Sequence, residues 1–239
     1  LVVPMFASYF FDDMFSTISH IFKNPEMLEL GWNTMDYGFY AGGYSFLCVW
    51  GGLIVCGMLL DKWGVRVTGS IFVGLMAAGA ALVYVTISSK AIVETGNSLY
   101  IAYVGCMLFG LGSEIAGVAV TRSIAKWFKG KSMALAMGLQ LAIARLGTAA
   151  ALLLSPVLVA ESETGMYPLD ITNRPAFFGL MLLLLGTVVW AIFVAMDAKF
   201  DKQEGTSDKV ETAEEDKFKF TDIFKILSNK HYLLISLLC

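Results

Sequence analysis

The chain has 239 residues, of which 57% are hydrophobic and 15% charged, with a formal net charge of −3. Its mean hydropathy of +0.69 lies well above that of a water-soluble domain, and its apolar runs reach the ~20 residues that cross a hydrocarbon core. Composition therefore excludes a soluble globular class, and the net charge says little because the charges gather between the apolar runs.

The first run, about Leu1 to Phe22, is interrupted by Asp12 and Asp13 beside Tyr9, Phe10 and Phe11. Neighbouring carboxylates on a helix point about 100° apart, so at most one of the two can face a given cavity squarely. A second run, Thr34 to Leu60, carries Gly38, Gly42 and Gly43 for close helix approach, with Tyr37, Tyr40 and Tyr44 as aromatic surface. After Asp61 to Arg66, a third run rich in Gly and Ala spans Val67 to Ile87. A fourth covers Ser98 to Arg122, a basic turn ends at Lys131, and a fifth runs from Ser132 to Val159. The polar stretch Glu161 to Arg174 leads into a sixth, Pro175 to Met196.

From Asp197 to Lys217 the composition turns to Asp, Glu, Lys, Gly and Ser without apolar period, which reads as a solvated linker. Phe218 to Leu227 returns to an amphipathic pattern and is expected to be an interfacial helix feeding a seventh span near His231. The domain reading is a six-helix bundle over 1–196, a cytoplasmic loop with an interfacial helix over 197–228, and the start of helix seven over 229–239. With no initiator Met and an ending in the apolar run LLISLLC, both ends are expected to be cut from a longer protein.

Lys and Arg set the orientation. The loops after spans two, four and six hold Lys62 and Arg66, then Arg122, Lys126, Lys129 and Lys131, then the lysines from Lys199 to Lys230. The opposite loops hold only Lys23, Lys90 and Arg174, so the first group is expected in the cytoplasm. The four cysteines, Cys48, Cys56, Cys106 and Cys239, lie in apolar segments without metal-ligand spacing and are expected to be buried thiols; His20 and His231 have no partner motif.

Two full charges stand in the apolar bodies of spans four and five: Glu114 and Arg145. Their midpoint falls in the basic turn, so an antiparallel hairpin would bring acid and base face to face near mid-membrane. Gly110, Glu114, Gly117 and Thr121 share one stripe; Gly138, Ala142, Arg145 and Ala149 share another. Small residues around a lone charge mark a stripe turned to helices or a cavity. A charge at the bilayer centre costs about 2.5–3.5 kcal/mol on insertion scales, so its default reading is functional. Asp13 is a third candidate.

The first cytoplasmic turn reads Gly57, Asp61, Gly64 and Arg66 within GMLLDKWGVR. This spacing resembles the loop-2/3 signature of the major facilitator superfamily. The resemblance implies an all-α membrane fold, here the N-terminal six-helix half, with Asp61 and Arg66 in a gating contact that stabilises the outward-facing state. Two features of the superfamily are missing: its frequent helix-four arginine, which would fall near Cys106, and the Gly-Pro motif of its drug antiporters in span five. SYFFDD (Ser8 to Asp13), GSE (Gly112 to Glu114), WFKGK (Trp127 to Lys131) and GLQLAIARLG (Gly138 to Gly147) resemble the branch that contains the lysosomal dipeptide uniporter. Carried over, that likeness implies that Glu114 and Arg145 contact the termini of a dipeptide.

The expected function is a secondary or facilitative carrier of a small organic solute, working by alternating access with a C-terminal six-helix half. A zwitterion suits the pair, since a carboxylate holds an ammonium and a guanidinium forks a carboxylate. An organic-anion or sugar carrier is the alternative within the class; a non-transporting scaffold or receptor, with Glu114 and Arg145 as a satisfied salt bridge, is the alternative outside it. An enzyme is not expected, because no nucleophile–base pair, metal-ligand spacing or phosphate loop is present. No cofactor, metal or nucleic-acid partner is expected; the partners are the lipid bilayer and a small-molecule substrate. The absence of an Asn-X-Ser/Thr sequon from the expected exoplasmic loops points to a bacterial cytoplasmic membrane.

Overall fold

The computed structural model describes residues 2–128, 132–159 and 165–204, and among them the long elements are all helices. Helix α1 is Val2–Asp13, α2 Thr34–Leu47, α3 Leu53–Ser88, α4 Lys90–Glu94, α5 Ser98–Trp127, α6 Met133–Leu158, α7 Leu169–Thr172 and α8 Arg174–Glu204. Thr34–Ser88, Ser98–Trp127, Met133–Leu158 and Leu169–Lys202 are long and apolar enough to cross a membrane. The Lys129 to Lys131 part of the basic turn, and the expected interfacial helix and seventh span, lie outside the described residues.

The 55-residue stretch Thr34–Ser88 contains two spans. It starts on a reciprocal cap: Asn33 Oδ1 accepts from the amides of Met35 and Asp36, and the Asp36 carboxylate accepts from the Asn33 amide. A π-helical turn, Cys48–Gly52, with Gly51 at φ +93°, then breaks the first span. At Gly64, with φ +79° and ψ 170°, the chain reverses. That region is open essentially to glycine alone. Thr68 Oγ1 donates to the Leu59 carbonyl at 3.2 Å. Nine residues of continuous helix would hold these groups ~13 Å apart, so the bond itself reports the reversal.

Three boundaries differ from the sequence reading: α5 runs on past Arg122 to Trp127, into the expected basic turn, and the ends of α1 and α8 also move. Helix α1 ends at Asp13, and 14–23 continue as turns and a 3-10 segment, Ser19–Lys23, which still buries Met14, Phe15, Ile18, Ile21 and Phe22. The last span runs on to Glu204, through the first residues of the expected linker, because Asp197 and Asp201 are buried in ion pairs there.

The helices pack in the order α2–α5–α3–α8–α1–α6, which curls the bundle around a central face. The most extensive interface is α3 on α5, and small residues set its spacing: a Cβ at Gly79 would strike the Phe109 amide and the Gly105 carbonyl. Helix α6 packs on α1, where a Cβ at Gly147 would meet the Phe6 carbonyl. By contrast α5 and α6, neighbours in sequence, touch only briefly.

Far from the basic turn, Glu29 ties three loops together. Its carboxylate accepts from the Leu169 amide at 3.0 Å and lies 3.3 Å from Lys90 Nζ, while its amide donates to the Tyr167 carbonyl. The Leu169 amide, and then Lys90, hold the Glu29 carboxyl below its usual value of 4.5.

Candidate functional site: a polar cavity at mid-helix

The separation of α5 from α6 leaves a cavity of about 300 Å³ whose walls come from α1, α2, α5 and α6, with Met76 of α3. Ser8 and Tyr9 line it from α1, Tyr44 from α2, Glu114, Gly117 and Thr121 from α5, and Gln140 and Leu141 from α6. It runs toward Arg122 and the basic turn. Glu114 lies midway along α5 and is half-buried. Tyr44 Oη donates to Glu114 Oε1 at 2.8 Å, while Ser8 and Ser113 share a hydrogen bond of 2.5 Å that links α1 to α5. Gln140 Nε2 donates to Thr121 Oγ1 at 2.9 Å across the narrow α5–α6 contact.

The expected face-to-face pair is not formed. Arg145, midway along α6, is exposed, and no ion pair joins it to Glu114 among the described residues. The hairpin assumption failed because each helix spends its small residues on another partner. Ala144, Gly147, Ala151 and Ser155 of α6 are buried in the bundle, with Gly147 against α1, while Gly105, Gly110 and Gly112 of α5 meet α3 and α2. Of the two stripes, the α5 stripe does line the cavity through Glu114, Gly117 and Thr121. The α6 stripe is turned outward: Gly138, Ala142 and Arg145 are exposed. Arg145 sits one helical turn beyond the cavity-lining Leu141, on the open side of the same wall.

Asp13 is likewise not on the cavity. Asp12 is the carboxylate that lines a second, smaller pocket, of about 40 Å³, together with Tyr37, Tyr40 and Tyr44. Asp12 lies one helical turn above Ser8, so the two pockets follow one face of α1 and share Tyr44 as a wall.

At the basic-turn end the four motif residues divide. Asp61 Oδ1 pairs with Arg122 Nη1 at 2.6 Å; both side chains are nearly half exposed (48% and 43%), so the pair contributes about 0–1 kcal/mol. Asp61 thus takes its arginine from α5 of this same bundle. Arg66 reaches α8 instead, 2.7 Å from Asp201 and 3.5 Å from Asp197. Lys126 joins both aspartates at 3.1 and 2.8 Å, and Trp127 Nε1 donates to Asp197 at 2.8 Å. Gly64 makes the turn, whereas a Cβ at Gly57 would meet open space.

The model of the Major Facilitator Superfamily matches residues 5–239. The chain belongs to the major facilitator superfamily. Its described helices are those of the all-α N-terminal half of that fold, and it is a multi-pass membrane protein. Curated relatives include the lysosomal dipeptide transporter MFSD1 of Danio rerio, 30% identical over 148 residues, which are 60% of this chain and 29% of that protein. The Bos taurus protein of the same name is 27% identical over 161 residues, 67% of this chain and 32% of its own length, and the Homo sapiens one 28% over 143 residues, 60% and 28%. The chain thus spans about a third of the length of the curated relatives it matches. No solved structure matches it significantly.

Sequence reasoning missed the hydrogen bond from Tyr44 to Glu114, the choice of Asp12 over Asp13, and the pairing of Arg66 and Lys126 with α8. The helical phase of Ser8, Met5 and Asp12 on α1 carried a signal for the second. The other two need the order in which helices pack.

Proposed function

We propose that this chain forms the N-terminal half of a carrier that moves a small zwitterionic solute, a dipeptide or a compound of that shape, by alternating access. Glu114 takes the ammonium, Arg145 takes the carboxylate, and a C-terminal six-helix half closes the site from the other side. The observation that carries this reading is the mid-helix cavity with Glu114 on its wall, oriented by Tyr44, and no basic side chain paired to it among the described residues. A scaffold would spend Glu114 and Arg145 on each other; here both remain available for a ligand. The relatives named as dipeptide transporters lend the zwitterion its chemical class.

The gate belongs to the same reading. Asp61 and Arg66 hold the basic-turn ends of spans two and three to α5 and α8, so this half rocks as one body with Gly64 as its tight corner and Gly57 beside it. The loops after spans two, four and six face the cytoplasm, in a bacterial cytoplasmic membrane or in a lysosomal one as in the relatives' name.

Thermal stabilisation of the full-length protein by a panel of dipeptides, sugars and organic acids tests the reading. A dipeptide is expected to raise the melting temperature of the wild type but not of Arg145→Ala. Stabilisation by an organic anion that needs Arg145 and ignores Glu114→Gln would favour an anion carrier, for which the exposed Arg145 already offers a guanidinium. Stabilisation by none of the panel would favour the scaffold.

A further inference from the structure

Helix α2 is held more loosely than the helix it packs on. Of its fourteen residues only Tyr40 and Gly43 are buried, against thirteen of thirty in α5. Its far end is pinned: Trp32, just ahead of the Asn33 cap, is buried, and its Nε1 donates to Ser98 Oγ at 3.1 Å. The other end runs into the π-helical turn Cys48–Gly52, where only Cys48 is buried and Val49 and Trp50 stand 78% and 79% exposed. A π turn closes on i→i+5 bonds and so stores one residue more than an α turn. Gly51 holds a left-handed φ with nothing near it, so this slack can be taken up or given out without unpacking a core. Beyond the turn the chain is fixed again, with Cys56 packed on Phe72 and Ile115 and Asp61 paired with Arg122.

Between the pin and the turn stands Tyr44. Its hydroxyl donates to Glu114 Oε1 at 2.8 Å, with Ser113 Oγ at 3.5 Å. A Cβ at Gly110 would strike the Tyr44 carbonyl, so α5 meets α2 there with bare backbone. Roughly 16 Å of helix separates Tyr44 from the Asn33 cap, so a small tilt about the pin moves the tyrosine most. Tyr44 is also the wall common to the 300 Å³ cavity and the 40 Å³ pocket, which follow one another along α1. While it sits on Glu114 the two are separate. Once it lifts, they join into one passage to Glu114 from the end of the bundle opposite the basic turn.

We propose that α2 is a lid, pinned at Trp32 and yielding at Gly51, and that the Tyr44–Glu114 hydrogen bond is the latch that keeps it shut while the site is empty. This rests on the reading that Glu114 takes the ammonium of a solute, because an ammonium on that carboxylate competes with the Tyr44 hydroxyl. A solute held from the main cavity therefore releases the lid, and one from the opposite side enters when the lid opens by itself. The rest of the bundle, tied at its basic-turn end, moves as one body around it.

The protein carries its own reporters. Cys106 of α5 is buried under α2, on the pocket walled by Tyr37, Tyr40 and Tyr44, and Cys56 is buried beyond the turn. The full-length protein in proteoliposomes is treated with a small methanethiosulfonate, and modification of each thiol is followed by mass spectrometry. Tyr44→Phe is expected to speed modification of Cys106 roughly tenfold or more, the effect of losing one hydrogen bond to a charged group, and to leave Cys56 unchanged. Glu114→Gln is expected to act in the same direction, and the double variant to add little to Tyr44→Phe, since both break one bond. A disulfide formed in Phe39→Cys/Tyr103→Cys, where the two rings stack at 4.3 Å, is expected to return Cys106 in Tyr44→Phe to the wild-type rate. An unchanged Cys106 in Tyr44→Phe overturns the latch. Fast labelling that persists with the disulfide closed shows that only the tyrosine ring moves and overturns the lid. Cys56 rising together with Cys106 reports loosening of the whole bundle and overturns it equally. The labelling needs no solute, so its failure leaves the zwitterion reading standing; fast Cys106 labelling beside a failed dipeptide panel leaves the lid standing over a site for another solute.

Discussion

Two sets of carboxylates in this bundle are treated in opposite ways. At the basic-turn end Asp197 and Asp201 are almost fully buried (side chains 4% and 5% exposed), and Arg66, Lys126 and Trp127 converge on them. At mid-helix Glu114 has a tyrosine hydroxyl, and at the end of α1 Asp12 lines a pocket walled mainly by Phe and Tyr rings. Buried charges that are paired lock helices; charges left on a cavity wall with neutral neighbours keep their attraction for something that arrives later. On the function proposed above, the difference separates the part of this bundle that holds its shape from the part assigned to the solute.

Breaking the locked end should have the largest effect. Asp197→Ala leaves Arg66 and Lys126 with one aspartate instead of two and removes the acceptor of Trp127, so we expect a loss of about 3–5 kcal/mol, read as a large fall in melting temperature of the full-length protein. Glu114→Gln should do the reverse: little change in the ligand-free melting temperature, with dipeptide affinity falling by the ~1.5–3 kcal/mol of a charge-assisted hydrogen bond, measured by titration. A large loss of ligand-free stability in Glu114→Gln would place Glu114 with the locking residues and erase the contrast. Gly64→Ala puts a Cβ at φ +79°, ψ 170°, which costs of order 1–3 kcal/mol at the corner joining the two spans, seen in the same melts.

The smallest effect sits at the opposite loops. Because the Glu29 carboxyl is held below its usual 4.5, its folded form binds a proton less readily than its unfolded form. Its contribution is therefore complete above pH 4.5 and fades as pH falls through the lowered value. Glu29→Gln should flatten a melting-temperature profile over that acid range and leave it unchanged at neutral pH. A profile of the same slope in the variant would show that the loop tie does not titrate.

The motifs for the family, the long spans from Thr34 onward and the turn at Gly64 were legible in the sequence, because each depends on local information: run length against bilayer thickness, and a backbone conformation only glycine takes; the first run, helical only to Asp13, was not. The reach of α8 past Met196 was not, since a stretch rich in charge reads as solvated until its partners on other helices are known. The same holds for Asp12 and Asp13, adjacent in sequence and equal in chemistry, which only the phase of α1 against α2 and α5 tells apart.

By itself the sequence determined a membrane bundle with an acid and a guanidinium each near the middle of its helix, because period and length act along one chain. Tertiary structure alone decided that they stand apart. Glycine and alanine stripes sent α6 to α1 and α5 to α3, and the gap between them became a cavity instead of a salt bridge. Packing preference is a competition among all the helices, and no single stretch of sequence records its winner.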